Sequence, residues 1–272
     1  MIMVYMINSV NVIANDHGLY VNLNKTKIVV FRSRGNVKPE ERWSLNGNPV
    51  EICDDFVYLG LLFHYNGSFL HTQKSLSNQG RKALFNLYSK IHDDCFNHET
   101  LMSLFDTYIS CILSYGCETW GSHKGEDIEK VHLNFLKRTL KVRRSAVNFM
   151  VYFELGRVPV SYVERYYRMF KYWCKILKTE NIVLKLVMNP SMFESSHKKL
   201  NKKFNWAGNI RDILCRYGFN DIWISQDVVD EDKSLCEFKQ RVIDCFVSEA
   251  VAFFEDSPKC NFYRYIYDIH NL

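Results

Sequence analysis

The sequence predicts an α+β fold that is mostly α, with a small antiparallel sheet at the front and helices behind it. Three observations carry this. Asn46-Gly47, the strongest short hairpin signal in the chain, lies between short apolar runs. After Asn66-Gly67 the apolar period changes from strand-like to helical. At 272 residues, 47% hydrophobic and 24% charged, the chain has the length and balance to bury a substantial core.

In chain order, Lys27–Phe31 (KIVVF) reads as a β-branched strand, and Ser33–Pro39 as a polar turn. Trp43–Leu45 enters the hairpin, Pro49–Ile52 returns, and Phe56–Phe63 follows as a buried strand. Leu76, Ala83, Leu84, Leu87 and Ile91 then keep helical spacing. Asn97 is placed to cap a second helix, with Glu99 in its first turn and Leu101, Leu104, Phe105, Tyr108 and Ile112 on one face. A third helix begins near Glu126 and Asp127, buries Ile128, Val131, Phe135 and Leu136, and ends in basic residues. Pro159 suits the first turn of a fourth. Its seam is Val160, Val163, Tyr167, Phe170, Cys174 and Leu177. Beyond Asn189-Pro190 comes a Lys-rich linker, Ser195–Lys203, and then further helices, the clearest from about Asp232 to Phe254.

The net charge of +5 is unevenly spread. From Lys137 to Lys178 eleven Lys or Arg face two Glu, a local balance of +9. From Asp221 to Asp256 ten Asp or Glu face three basic residues, a balance of −7. A basic middle beside an acidic end suits a polyanion-binding surface, and equally two solvated helix faces. The nine cysteines are scattered with no C-x-x-C pair, as expected of reduced thiols in an intracellular protein, nuclear or cytoplasmic. The apolar start, MIMVYMINSVNVIA, is too short to span a bilayer and lacks a basic n-region, so no membrane partner is implied. It reads as a helix or strand on the core, or as a truncation scar.

Several segments carry a family resemblance. Gly18–Phe31 (GLYVNLNKTKIVVF) contains Asn22, Lys25 and Thr26 in the N-x-x-K-T pattern, and Asp55–Phe63 (DFVYLGLLF) contains Tyr58, Leu59 and Gly60. In Leu104–Gly121 (LFDTYISCILSYGCETWG), Tyr115, Gly116, Glu118 and Trp120 follow Cys111, and Ile128–Leu140 and Tyr152–Val160 (YFELGRVPV) come next. Taken in this order, the segments resemble the closing palm and the thumb of reverse transcriptases from non-LTR (LINE-type) retrotransposons. The resemblance runs roughly from Gly18 to Trp173. A lone YLG would carry no weight, and the weight comes from several landmarks in order. Cys111 departs from the family's usual Pro.

The resemblance implies a palm-edge remnant with a primer-grip-like strand over residues 1–64 and a thumb-like helical domain over 65–190. Residues 191–272 would be a linker and C-terminal helices of unknown role. It places Asn22, Lys25 and Thr26 near an incoming nucleotide, and Tyr58, Leu59 and Gly60 at a primer terminus. Nucleotide addition needs two Mg²⁺ ions held by carboxylates, which the family takes from positions upstream of N-x-x-K-T. Upstream of Asn22 only Asp16 is present. Asp54-Asp55 follows Lys25, the wrong order for that pair, and reads as a polar strand start. Asp93-Asp94 reads as a solvated helix end. No catalytic residue, metal ligand or cofactor is therefore expected in this chain, although the parent family uses Mg²⁺.

Nucleic-acid contact is expected elsewhere. Arg168, Lys171, Lys175 and Lys178 follow i, i+3, i+7, i+10 beside the apolar seam, a line able to track phosphates. Lys137, Arg138, Lys141, Arg143 and Arg144 form a second cluster. The stripe also suits the wet face of an amphipathic helix. Tyr162, Tyr166 and Trp173 fall on the far side of the seam and read as core. The expected function is a truncated reverse transcriptase-like protein that does not polymerise alone and keeps weak binding to an RNA or DNA primer–template. Two alternatives stand beside it. One is a helical protein-interaction fragment, the other the C-terminal part of a longer active RNA-directed DNA polymerase with a misassigned start. A missing palm segment or another protein is a further expected partner.

Overall fold

The computed structural model describes residues 2–32, 35–91, 96–160, 163–181 and 206–260. The fold is α+β and mostly α, in two compact units, Met1–Thr72 and Gln73–Leu272. Asp93-Asp94, Tyr162, Asn189-Pro190 and Ser195–Lys203 lie outside the described residues.

The first unit opens with helix α1 (Ile2–Asp16), which meets the strand β2 (Ser44–Leu45). Ile7 packs on the buried trio Ile28, Leu45 and Val50, and the amides of Asn11 and Asn46 pair at 2.7 and 3.1 Å. Five other apolar residues of α1, Tyr5, Met6, Val10, Val12 and Ile13, are exposed. β2 pairs antiparallel with β3 (Asn48–Pro49) across Asn46-Gly47, both at positive φ. This is the two-residue turn that Asn-Gly favours.

Among the described residues, the expected small sheet takes the form of three two-stranded ladders. Lys27–Phe31 forms a strand only over β1 (Lys27–Ile28), which pairs in parallel with β4 (Glu51–Ile52). Val50 explains the change of partner. Its side chain enters the small core while its N–H bonds the Trp43 carbonyl, so the chain bends there and offers Glu51 and Ile52 to β1. An ion pair between Lys27 and Glu51 locks that register. The expected buried strand Phe56–Phe63 is a hairpin, β5 (Asp55–Tyr58) and β6 (Leu61–His64), folded at Leu59-Gly60. Both turn residues have positive φ, 47° and 81°.

The helices follow in close contact. α2 (Leu70–Tyr88) carries Gly80, where an added Cβ would stand 2.5 Å from Leu113. α3 (His98–Phe105) is capped by Asn97, whose side chain accepts from the Thr100 N–H at 2.8 Å. It continues through a π turn (Asp106–Ser110) into α4 (Cys111–Leu113). That turn inserts extra backbone and shifts the buried face. Ile109 and Leu113 are fully buried, whereas Tyr108, expected on that face, is exposed.

After α5 (Cys117–Trp120), α6 (Glu126–Thr139) buries Ile128, Val131, Phe135 and Leu136 as its spacing predicts, and Phe135 stacks on Phe105 at 4.4 Å. α7 (Asn148–Glu154) follows. α8 (Val163–Lys178) starts four residues past Pro159 and buries Val163, Phe170, Cys174 and also Trp173. The later helices α9 (Trp206–Arg216), α10 (Asn220–Ser225) and α11 (Glu231–Asp256) pack against it. Phe170 meets Phe238 at 4.9 Å and Trp173 meets Trp223 at 5.8 Å. α9, α10 and α11 share a core with α8.

Candidate nucleic-acid interface

In the first unit, Asn22, Lys25 and Thr26 form one turn. The Asn22 side chain accepts from the Lys25 N–H at 3.2 Å, and its carbonyl accepts from the Thr26 hydroxyl and N–H at 2.9 and 3.0 Å. Asn22 and Thr26 thus shape the entry to β1, a structural role in its own right. Lys25 is exposed, and among the described residues its ammonium makes no ion pair. Tyr58, Leu59 and Gly60 sit at the hairpin turn, where Val57, Tyr58 and Leu59 are 60%, 58% and 73% exposed. A leucine in the left-handed region costs about 1–2 kcal/mol, and this one also shows most of its apolar surface to solvent.

In the second unit the basic candidates fall into three groups. Lys137 is buried and donates to the Arg144 carbonyl at 2.8 Å, and burial pulls its ammonium below the ordinary lysine range. Its charge therefore shapes the loop that follows α6. Arg168 and Lys178 are held by carboxylates. Arg168 bonds Glu118 at 2.9 Å and the Ser114 carbonyl and hydroxyl at 2.9 and 3.0 Å. Lys178 bonds Glu231 at 2.6 Å, which raises the lysine above its usual value.

The third group faces outward. Arg138 lies over the Tyr88 ring at 3.6 Å, a cation–π contact. The two line a pocket of about 210 Å³ with Phe96, His98, Leu101, Thr139 and Lys141. Lys141, at φ 56°, turns the chain out of α6, and Arg143 and Arg144 follow it, all exposed. Among the described residues, the Arg143 and Arg144 side chains have neither ion pair nor hydrogen bond. On α8, Lys171 and Lys175 are exposed, and Lys171 and Lys239 flank the Tyr167 ring at 6.0 and 5.5 Å. Tyr166 packs against the core and Trp173 lies within it, as expected.

The segment Leu104–Gly121 is a packing node. Trp120 is fully buried and donates to the Tyr115 carbonyl at 3.0 Å, and Trp206 donates to the Glu118 carbonyl at 2.6 Å. Gly121 lets α8 come close, since a Cβ there would meet the Cys117 carbonyl oxygen at 2.6 Å and Met169 at 2.9 Å. Two features escaped sequence reasoning. Arg165 is 2% exposed and donates to the His123 carbonyl at 2.8 Å. His132, fully buried on Phe105, bonds Glu129 at 2.9 Å, and Glu129 also accepts from Tyr152. A polar residue at an apolar register position is the one sequence signal for either. Comparisons with protein-family models, with curated proteins and with solved structures find no significant match.

Proposed function

We propose that this chain is a reverse transcriptase-like fragment of non-LTR retrotransposon origin that binds nucleic acid without polymerising by itself. One observation carries the binding. The outward cluster Arg138, Lys141, Arg143 and Arg144 gathers cationic side chains at the end of α6, beside an arginine–tyrosine stack and a small pocket. Lys171 and Lys175 add exposed cations on α8. Exposed cations in such an array attract phosphates without regard to base sequence. Arg168 and Lys178 add less, because Glu118 and Glu231 hold them. The exposed hairpin tip at Tyr58–Gly60 supports the primer-grip part of the reading.

The described cysteines are free thiols, which supports residence in a reducing, intracellular compartment. Among the described residues no helix is long and apolar enough to cross a membrane. The test is a titration of the purified chain against a primer–template duplex at several salt concentrations. Salt-sensitive binding supports the proposal, and no binding even at low salt overturns it. Polymerisation with Mg²⁺ and nucleotides by this chain alone would contradict the non-catalytic part.

A second reading rests on the exposed apolar residues of α1. Uncovered surface of this kind serves a protein partner or a further palm segment. Concentration-dependent self-association, lost on replacing Val10 and Ile13 by polar residues, would favour it.

A further inference from the structure

We propose that Asp55, His64 and His71 form a three-ligand site for a divalent transition metal of the zinc class. One donor atom of each lies within 4.8 Å of the other two. The three come from different elements, each fixed by the fold. Asp55 on β5 and His64 on β6 are direct cross-strand partners, so their side chains share a face of the hairpin. The Asp55 carboxylate and the His64 Nε2 stand 3.9 Å apart. His71 is the second residue of α2, and the Thr72 hydroxyl, donating to the Leu62 carbonyl, ties that first turn to β6. The His71 ring lies on His64 with centroids 4.0 Å apart and planes 3° from parallel.

The charges around the cluster leave one carboxylate for the metal. The neighbouring Asp54 is bonded by Arg32 at 2.7 Å, and Arg32 also covers the Tyr65 ring. Asp55 accepts no hydrogen bond among the described residues and faces His64. Two imidazoles and a carboxylate are the donor set for zinc and its neighbours, whereas Mg²⁺ takes oxygen ligands. Tetrahedral bonds of about 2.0–2.2 Å bring ligand atoms nearer than the separations here, so the cluster contracts on binding. Parallel rings share no in-plane point, so one imidazole must rotate about its Cβ–Cγ bond. His64 Nδ1 now accepts from the Asn66 N–H at 3.3 Å. Ligation through Nε2 moves the ring proton to Nδ1 and gives up that long bond. The bound metal would then pin the base of the β5–β6 hairpin to the start of α2.

The experiment uses the full chain stripped of metal by a chelator. Co²⁺ should add visible d–d absorption that saturates at one equivalent and is displaced by Zn²⁺. Zinc should also raise Tm as its concentration rises. Asp55→Asn and His71→Gln should each lower affinity by more than the roughly 10–100-fold that loss of a supporting partner costs. His17→Ala, at the end of α1, should bind as the wild type does. Asp55→Asn is near-isosteric at an exposed position, and circular dichroism of each metal-free variant checks folding. The proposal is overturned by failure of the wild type to bind one equivalent. It is equally overturned if the Asp55→Asn/His71→Gln double variant binds as tightly, or if the cobalt spectrum shows thiolate charge transfer alone.

Discussion

Arg168 and Arg143 are the same residue type in opposite situations. Arg168 is fastened to Glu118 and Ser114, so Arg168→Ala should cost about 1.5–3 kcal/mol of stability, the range for hydrogen bonds to charged groups. A denaturant titration reads this, and a loss within error would show that the ion pair is idle. The i, i+3, i+7, i+10 line was legible in the sequence, but the carboxylates that hold two of its members lie 50 and 53 residues away. Side-chain pairing over such distances leaves no local pattern. Cysteine burial was legible only in part. Cys117 and Cys174 are buried, and their thiols are pushed up to about 12 by desolvation; Tyr217 is raised to about 12 for the same first reason. The folded chain therefore keeps protons that the unfolded chain releases above pH 9. Stability from these groups is fully present below pH 9 and should fall between pH 9 and 12, as thermal melts would show. Mass-mapped thiol labelling at pH 8 should modify the exposed Cys111, Cys215 and Cys236 while sparing Cys117 and Cys174.

At the scale of elements, turn chemistry decided what could be foreseen. Asn46-Gly47 announced its hairpin because both residue types tolerate positive φ. Leu59-Gly60 makes a turn of the same kind, yet leucine is no turn residue, so the segment read as one strand. Leu59→Asn should therefore raise stability by up to about 1 kcal/mol by relieving the left-handed leucine. A lower Tm would mean that the leucine packs where it stands. The π turn at Asp106–Ser110 was equally hidden, since helical spacing on either side of it looks continuous. Gly121 is the reverse case, a glycine fixed by packing. Gly121→Ala would push a methyl against the Cys117 carbonyl oxygen and α8, at a cost of about 1–3 kcal/mol. Chemical denaturation checks it, and a neutral result would mean α5 and α8 separate easily.

For the whole molecule, composition and period were enough to foresee an α+β, mainly helical chain with a basic middle. They could not show which cations remain outward once the helices pack. In the second unit the outward set is centred on Lys141, Arg143 and Arg144, with Lys171 and Lys175 on α8. On the proposed function, binding is driven by phosphate and carried by those side chains. The most direct test is the salt dependence of primer–template binding by the wild type and by the Arg143→Ala/Arg144→Ala variant. Each phosphate contact contributes about 0.9 to the log–log slope on duplex. The account predicts a steep negative slope for the wild type, and one shallower by up to about 1.8 for the variant, at unchanged Tm. Equal slopes for the two proteins, or affinity insensitive to salt, would contradict it.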